Sequence, residues 1–357
     1  MFVCIDVAHP HHALFYGAIG KELERRGHRI EVFARDKDVT AALLRRQELP
    51  HSVISHKGRD GRLADIQEGL RRVHVMYGAL RARRPDLMLS SNPTGVIAAR
   101  LARVPSVFDT MDGKGHGMHY RIPAALCDLM TASELLGLHH SRLVTYPGIM
   151  QMAHVPVASD DKQLRQDLAL NQQSRIAVLR VSAYTASHDR GKSGLGGELM
   201  KDILAWLNRS FDRVLVSSED EAIIRSSPWL RENPERFIEL LSAADLVVGD
   251  SVTVAAEAAI AGTPSIWISE FVGSRPIAEQ LERRYQVTRN IRLRGEVGTF
   301  KDFVASAEEL LSDRGRERFS EGRQQLLGQN QMASWYADLV ESSERGLSGA
   351  NSRSADL

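Results

Sequence analysis

The sequence predicts an α/β protein made of two Rossmann-like domains whose parallel sheets face each other across a cleft. Three observations predict it. Short apolar runs alternate with amphipathic stretches along most of the chain, the rhythm of strands joined by crossover helices. The rhythm breaks once, at the polar stretch "VASDDKQLRQDLALNQQS" (157–174), and then resumes. Two segments, "AARLARVPSVFD" (98–109) and "EAAIAGTPSIWI" (257–268), echo each other as helix, break, Pro-Ser and apolar strand. The length of 357 residues also suits two domains.

The elements follow in order. "FVCIDV" (2–7) is a continuous apolar run that suits a buried parallel strand. "ALFYGAIGKELERRGH" (13–28) has helical spacing, with Leu14, Ile19 and Leu23 on one face and Gly27 as its terminating glycine. "RIEVFAR" (29–35) is the next strand, "TAALLRRQEL" a helix, "HSVIS" a short strand and 61–83 a long amphipathic helix. "PDLMLS" (85–90) and "PSVFD" (105–109) read as strands around the helix "TGVIAARLAR".

In the second half, "RIAVLRV" (175–181), "DRVLVSS" (212–218), "ADLVVGD" (244–250) and "PSIWIS" (264–269) are strands. Helices are expected over 196–209, 252–262, "IAEQLERRYQ", "FKDFVASAEELLS" and 319–345. The domains are therefore set at 1–160 and 173–330, with a C-terminal helix over 331–345 and a disordered tail over 346–357.

Composition narrows the class. Apolar residues make up 43% and charged residues 25%, and the net charge is +1, so no strong overall field points to nucleic acid or an anionic membrane. No window is apolar enough for a transmembrane segment, and "MFVCID" lacks the basic start of a signal peptide. Cys4 and Cys127 sit in apolar segments and read as reduced core thiols. The expected compartment is cytoplasmic.

Four stretches could carry chemistry. In "LVVGDSVTVAAEAAIAG", a strand ends at Gly249-Asp250 and a helix begins at Ser251. Unpaired N–H groups at a helix start favour a phosphate, the hydroxyls of Ser251 and Thr253 add donors, and Glu257 can accept from ribose hydroxyls. The alternative is a plain N-cap with Glu257 an exposed helix residue. In "LRVSAYTASHDRGKSGLGG" (179–197), "RGKS" invites a Walker A reading, but that motif requires glycine at Ala186. What remains is a glycine-rich loop carrying Arg180, His188, Arg190 and Lys192, suited to closing on a diphosphate, or simply a solvated basic loop.

In "FDTMDGKGHGMHYRIP" (108–123), Asp109, Asp112, His116 and His119 are placed on a loop after a strand, where carboxylates can bind sugar hydroxyls or act as a base. No spacing matches a zinc site, so no metal is expected. In "AHPHHALF", His9, His11 and His12 follow the first strand, in the position where open parallel sheets bind ligands. The positive end of a helix keeps an imidazole neutral and so fit for general-base work. The alternative is a polar loop with one histidine bonded to backbone carbonyls.

Taken together, "AHPHHALF", "SAYTASHDRGKSG" and "ADLVVGDSVTVAAEAAIAGTPSI" resemble the family called domain of unknown function 354. That family is similar to GT-B glycosyltransferases and to UDP-N-acetylglucosamine 2-epimerases, and the resemblance spans roughly residues 1–330. It implies a GT-B-like fold and a UDP-linked sugar donor. In the epimerases an Asp-Ser-Gly-Gly segment and a following glutamate hold the UDP phosphates and ribose; Asp250-Ser251 and Glu257 match that spacing. In the lipid-linked N-acetylglucosaminyltransferase of peptidoglycan synthesis, one histidine of a glycine-containing first loop faces the acceptor; His12 matches it best. Val252-Thr253 replaces the Gly-Gly, and Pro-His-His replaces the glycine-rich loop.

The expectation is a metal-independent glycosyltransferase without cofactor. It would take a nucleotide sugar in the C-terminal domain and use His12 or His11 as the base toward an acceptor the sequence does not name. An epimerase using Asp109, Asp112 and His188 is the runner-up, and a non-catalytic nucleotide-binding protein is the third reading. The oligomeric state is left open, a homodimer being one arrangement.

Overall fold

The computed structural model describes residues 1–36, 39–56, 62–111, 113–157, 161–182, 195–218, 220–328 and 331–351. The chain divides into two compact units: Met1–His154 together with the chain from Gln331, and Val155–Asn330.

The first unit holds a seven-stranded parallel sheet in the order β3-β2-β1-β4-β5-β6-β7. Its strands are β1 Phe2–Val7, β2 Arg29–Asp36, β3 His51–His56, β4 Leu87–Ser90, β5 Ser106–Thr110, β6 Leu129–Ser133 and β7 Leu143–Tyr146. The order reverses between β1 and β4, which pair directly with Val3 opposite Leu87 and Asp6 opposite Ser90. Helices α1 Pro10–Arg25, α2 Thr40–Arg46, α3 Arg62–Arg83, α4 Pro93–Ala102 and α5 Met118–Leu126 connect the strands. β1 forms as expected because five of its six residues are fully buried, which only a central strand allows.

The second unit has five parallel strands in the order β12-β11-β10-β8-β9: β8 Ile176–Val181, β9 Arg213–Ser218, β10 Leu246–Gly249, β11 Ser265–Ser269 and β12 Thr288–Arg292. Its helices are α6 Lys162–Asp167, α7 Gly197–Ser210, α8 Glu221–Ile224, α9 Pro228–Glu232, α10 Phe237–Ala243, α11 Val252–Ala261, α12 Pro276–Arg283, α13 Glu296–Leu311 and α14 Asp313–Leu327. Here the reversal lies between β8 and β10. Gly249 is needed there because a Cβ would run into the Arg180 carbonyl of the neighbouring strand. One core, including Leu179, Val248, Ile266, Ile203 and Phe303, joins β8, β10 and β11 to α7 and α13.

Several elements differ from the sequence reading. α1 begins at Pro10, with His9 as its N-cap residue, so His11 and His12 lie in its first turn and not in a loop. Proline tolerates this place because its missing N–H would have no helical partner there. Asp109 lies within β5, the strand read over 105–109, and not on the loop after it, while His119 lies in α5, in a region read as loop. The last helix, α15 Met332–Asn351, continues past residue 345 and belongs to the first unit. Its Tyr336 and Val340 are fully buried, and Arg26 of α1 binds Asp338 (2.5 Å) and Glu341 (3.1 Å). Cys4 and Cys127 are buried free thiols, pushed up to about 12 and about 11 chiefly by burial.

Candidate functional site

In the second unit, Arg180 lies near the carboxyl end of β8 and Asp250-Ser251 at that of β10, where the strand order reverses. That is where open α/β sheets place ligands. Asp250 follows β10 and is buried. Its carboxylate accepts from Ser182 N (2.9 Å) and Leu195 N (3.1 Å). These two amides flank the segment 183–194, so one side chain ties together both stems of the glycine-rich stretch. Burial raises the Asp250 carboxyl above its ordinary value, and the bonds from Ser182 and Leu195 and the charge of Arg180 oppose that rise. Trp267 of β11 donates its indole N–H to the Asp250 carbonyl (3.0 Å), fixing the backbone at the turn.

Ser251 is the N-cap of α11, its hydroxyl accepting from Val254 N at 3.4 Å. Thr253 is half-buried in the first turn. Glu257 is only 4% exposed, so the alternative of an exposed helix residue does not hold. A buried carboxylate is kept only where polar groups meet it. Arg180 lies within β8, half-buried, with its guanidinium on Ser217 Oγ (3.0 Å). His188, Arg190 and Lys192 lie outside the described residues, as does Asp112.

In the first unit, the three histidines form a cluster at the start of α1. The ring centroids of His11 and His12 are 4.3 Å apart, with His9 at 5.5 and 5.7 Å from them. His12 is buried, its ring 6.3 Å from that of Tyr16 one turn on, whereas His9 and His11 are half-exposed. The best-matching histidine of the sequence reading is therefore the least accessible of the three. Among the described residues no group of three or more His, Cys, Asp or Glu side chains is placed to hold a metal.

Behind this turn lies a polar cluster that sequence reasoning missed. Asp6, near the end of β1, forms a buried ion pair with Arg72 of α3. Ser90 donates to the other carboxylate oxygen (3.0 Å), and Arg72 donates to Ser55 Oγ (2.9 Å). A Cβ on Gly95 would come within 2.7 Å of Asp6 Oδ2, so the start of α4 can close on the cluster only as glycine. Arg72 is sixty-six residues from Asp6 in sequence, and nothing local announces the pair.

Asp109 is fully buried. Thr131 Oγ1 donates to it (2.9 Å) and also bonds the Tyr336 hydroxyl (3.0 Å). Tyr16, Tyr146 and Tyr336 are all buried around it, and the Tyr16 hydroxyl bonds Ser91 Oγ (2.8 Å). Burial pushes the Asp109 carboxyl up to about 7, with the bonds from Thr131 and Tyr146 opposing. The folded value lies above the ordinary one of 3.8, so the folded protein holds this proton more tightly than the unfolded chain. Its stabilising contribution is complete at acid pH and is lost as pH rises through about 7. Between pH 5 and pH 8 wild type should lose about 2–3 kcal/mol of stability relative to Asp109→Asn. Urea unfolding of both proteins at the two pH values measures this, and parallel losses would remove Asp109 as the cause.

No protein-family model matches the chain, and no curated protein matches it by sequence. Solved structures do. The chain is similar to S. aureus MnaA determined with UDP, at 12% identity and a TM-score of 0.69, with 96% of each chain covered. It is similar to the UDP-GlcNAc 2-epimerase of Neisseria meningitidis bound to UDP-GlcNAc, at 12% identity and a TM-score of 0.65 over 96% of this chain and 100% of that one. It is also similar to the glycotransferase of kitacinnamycin, at 14% identity and a TM-score of 0.64 over 96% and 98%. The fold is GT-B-like. At these identities the likeness carries the architecture, and the expected fold class holds. With no family model matching, the narrower resemblance rests on its motifs alone.

Proposed function

We infer that the protein is an enzyme of nucleotide sugars that transfers the sugar from a UDP-linked donor to an acceptor hydroxyl. The observation that carries this reading is the Asp250-Ser251 turn: a capped helix start at the sheet's reversal point, with Glu257 buried behind it and Asp250 clamping the stems of a glycine-rich segment. The MnaA structure with UDP and the epimerase bound to UDP-GlcNAc share the fold, which supports UDP as the nucleotide.

In this reading the donor's anomeric carbon–oxygen bond breaks, and its electron pair leaves with the diphosphate. The N–H groups at the start of α11 face the charge that develops, which stabilises it without a metal. Thr253 adds a hydroxyl, Glu257 accepts from the ribose, and Arg180, His188, Arg190 and Lys192 supply the polar and cationic remainder. His11, the accessible member of the His11–His12 pair, takes the acceptor proton, while His12 backs it from the buried side. Asp109, fully buried, takes no part in that step.

A second reading, 2-epimerisation, is favoured by the likeness to structures named as UDP-N-acetylglucosamine 2-epimerases, at TM-scores up to 0.69. Incubation with UDP-N-acetylglucosamine alone, followed by proton NMR of the sugar, separates the two. Transfer predicts slow release of UDP to water with the sugar configuration retained at C2. Appearance of the C2 epimer would replace transfer by epimerisation, and an unchanged donor with no bound nucleotide would end both readings.

A further inference from the structure

The chain's near-neutral net charge hides an uneven surface. α3, α4 and α5 pack side by side in the first unit, and Met76 and Leu80 of α3 share a core with Ala98, Ala99 and Ala102 of α4. The outer side of this layer carries apolar residues that no described residue covers. Ile66, Leu70 and Tyr77 are 59%, 66% and 37% exposed, and their spacing of four and seven residues puts them on one stripe of α3. Leu101 on the adjacent helix is 58% exposed.

The charges around the stripe are nearly all of one sign. Arg71 and Arg81 on α3 and Arg100 and Arg103 at the end of α4 are exposed. The only carboxylates on α3 are Asp65 and Glu68, and Glu68 is held by Arg35 at 2.5 Å. α4 and α5 contain no acidic residue.

We propose that this outer face docks on the surface of an anionic lipid bilayer. Exposed aliphatic side chains bordered by arginines match the interface of such a membrane, where alkyl groups enter the acyl boundary and guanidinium groups meet lipid phosphates. A second copy of the chain fits worse, because a symmetric contact through this face would set arginines against arginines. Nucleic acid fits worse too, because its phosphate backbone rewards the cations but not Ile66, Leu70 and Leu101. No described helix is long and apolar enough to cross a membrane, so the docking is peripheral.

The test is co-sedimentation of the full chain with extruded vesicles, either pure phosphatidylcholine or roughly one-third phosphatidylglycerol. Wild type should bind the anionic vesicles and not the neutral ones, and binding should fall steeply as salt rises. Leu70→Ser/Leu101→Ser should weaken binding at least ten-fold. Each of Arg71→Gln, Arg81→Gln and Arg100→Gln should weaken it about five-fold. All five positions are exposed, so the variants should melt with wild type, which separates lost docking from lost folding. Failure of wild type to bind anionic vesicles, or equal binding by folded variants, would overturn the proposal. So would a wild-type dimer that Leu70→Asp dissociates, or duplex DNA bound in preference to vesicles.

Discussion

Replacing Arg72 with leucine should lower the stability of the first unit by about 3–5 kcal/mol, the scale for leaving a buried charge without its partner. Asp6 is fully buried, and Arg72 reaches it from α3 while also bonding Ser55. Removing the guanidinium strands the carboxylate between β1 and β4, with only Ser90 and nearby backbone to receive it. The double variant Asp6→Leu/Arg72→Leu should recover most of the loss, because a buried pair replaced by apolar residues is often neutral in stability. Urea unfolding of wild type, the single and the double variant measures this. A single variant within about 1 kcal/mol of wild type would mean that the pair is solvated or replaceable. The cluster also fixes the end of β1, from which the histidine turn departs. A folded Arg72 variant should therefore lose turnover as well.

His11→Ala should lower turnover about 100-fold, the usual scale for losing a general base. UDP affinity should barely change, since the nucleotide residues belong to the other unit. His12→Ala should act differently. Its ring is buried beside Tyr16, so its removal leaves a cavity and should lower the melting temperature. Steady-state rates beside melting curves for both variants separate the roles. Full turnover by His11→Ala together with a dead but normally folded His12→Ala would return the base to His12.

Much of the fold was legible because buried parallel strands write themselves as unbroken apolar runs, as "FVCIDV" and "LVVG" do. The strands that escaped notice are short or polar. β6 reads "LMTAS", β7 reads "LVTY", and the edge strand β12 reads "TRNIR", whose Arg289 pairs with Glu309 of α13 and whose Arg292 is exposed. α5 was hidden by the glycines before it and by Pro123 inside it. The start of α1 was misplaced because "HPHH" looks like a turn, although proline at the first helical position is equally a helix-start signal.

For the candidate site, the local motif was readable at Asp250-Ser251, where strand end, cap and helix follow within a few residues. The double clamp of Asp250 on Ser182 and Leu195 was not, because it joins positions 68 and 55 residues away. The same holds for Asp6–Arg72 and for the tyrosines around Asp109. Each is assembled by tertiary contacts, for which a single sequence carries no periodic signal.

Calorimetric titration of UDP into wild type and Glu257→Gln tests the nucleotide assignment most directly. Glutamine keeps the shape of a side chain that is 4% exposed but loses the charged acceptor for ribose hydroxyls. Wild type should bind one UDP per chain, and Glu257→Gln should bind it weaker by about 1–3 kcal/mol with an unchanged melting temperature in the absence of nucleotide. No heat from wild type, or equal affinity in the two proteins, would contradict a UDP site at the start of α11.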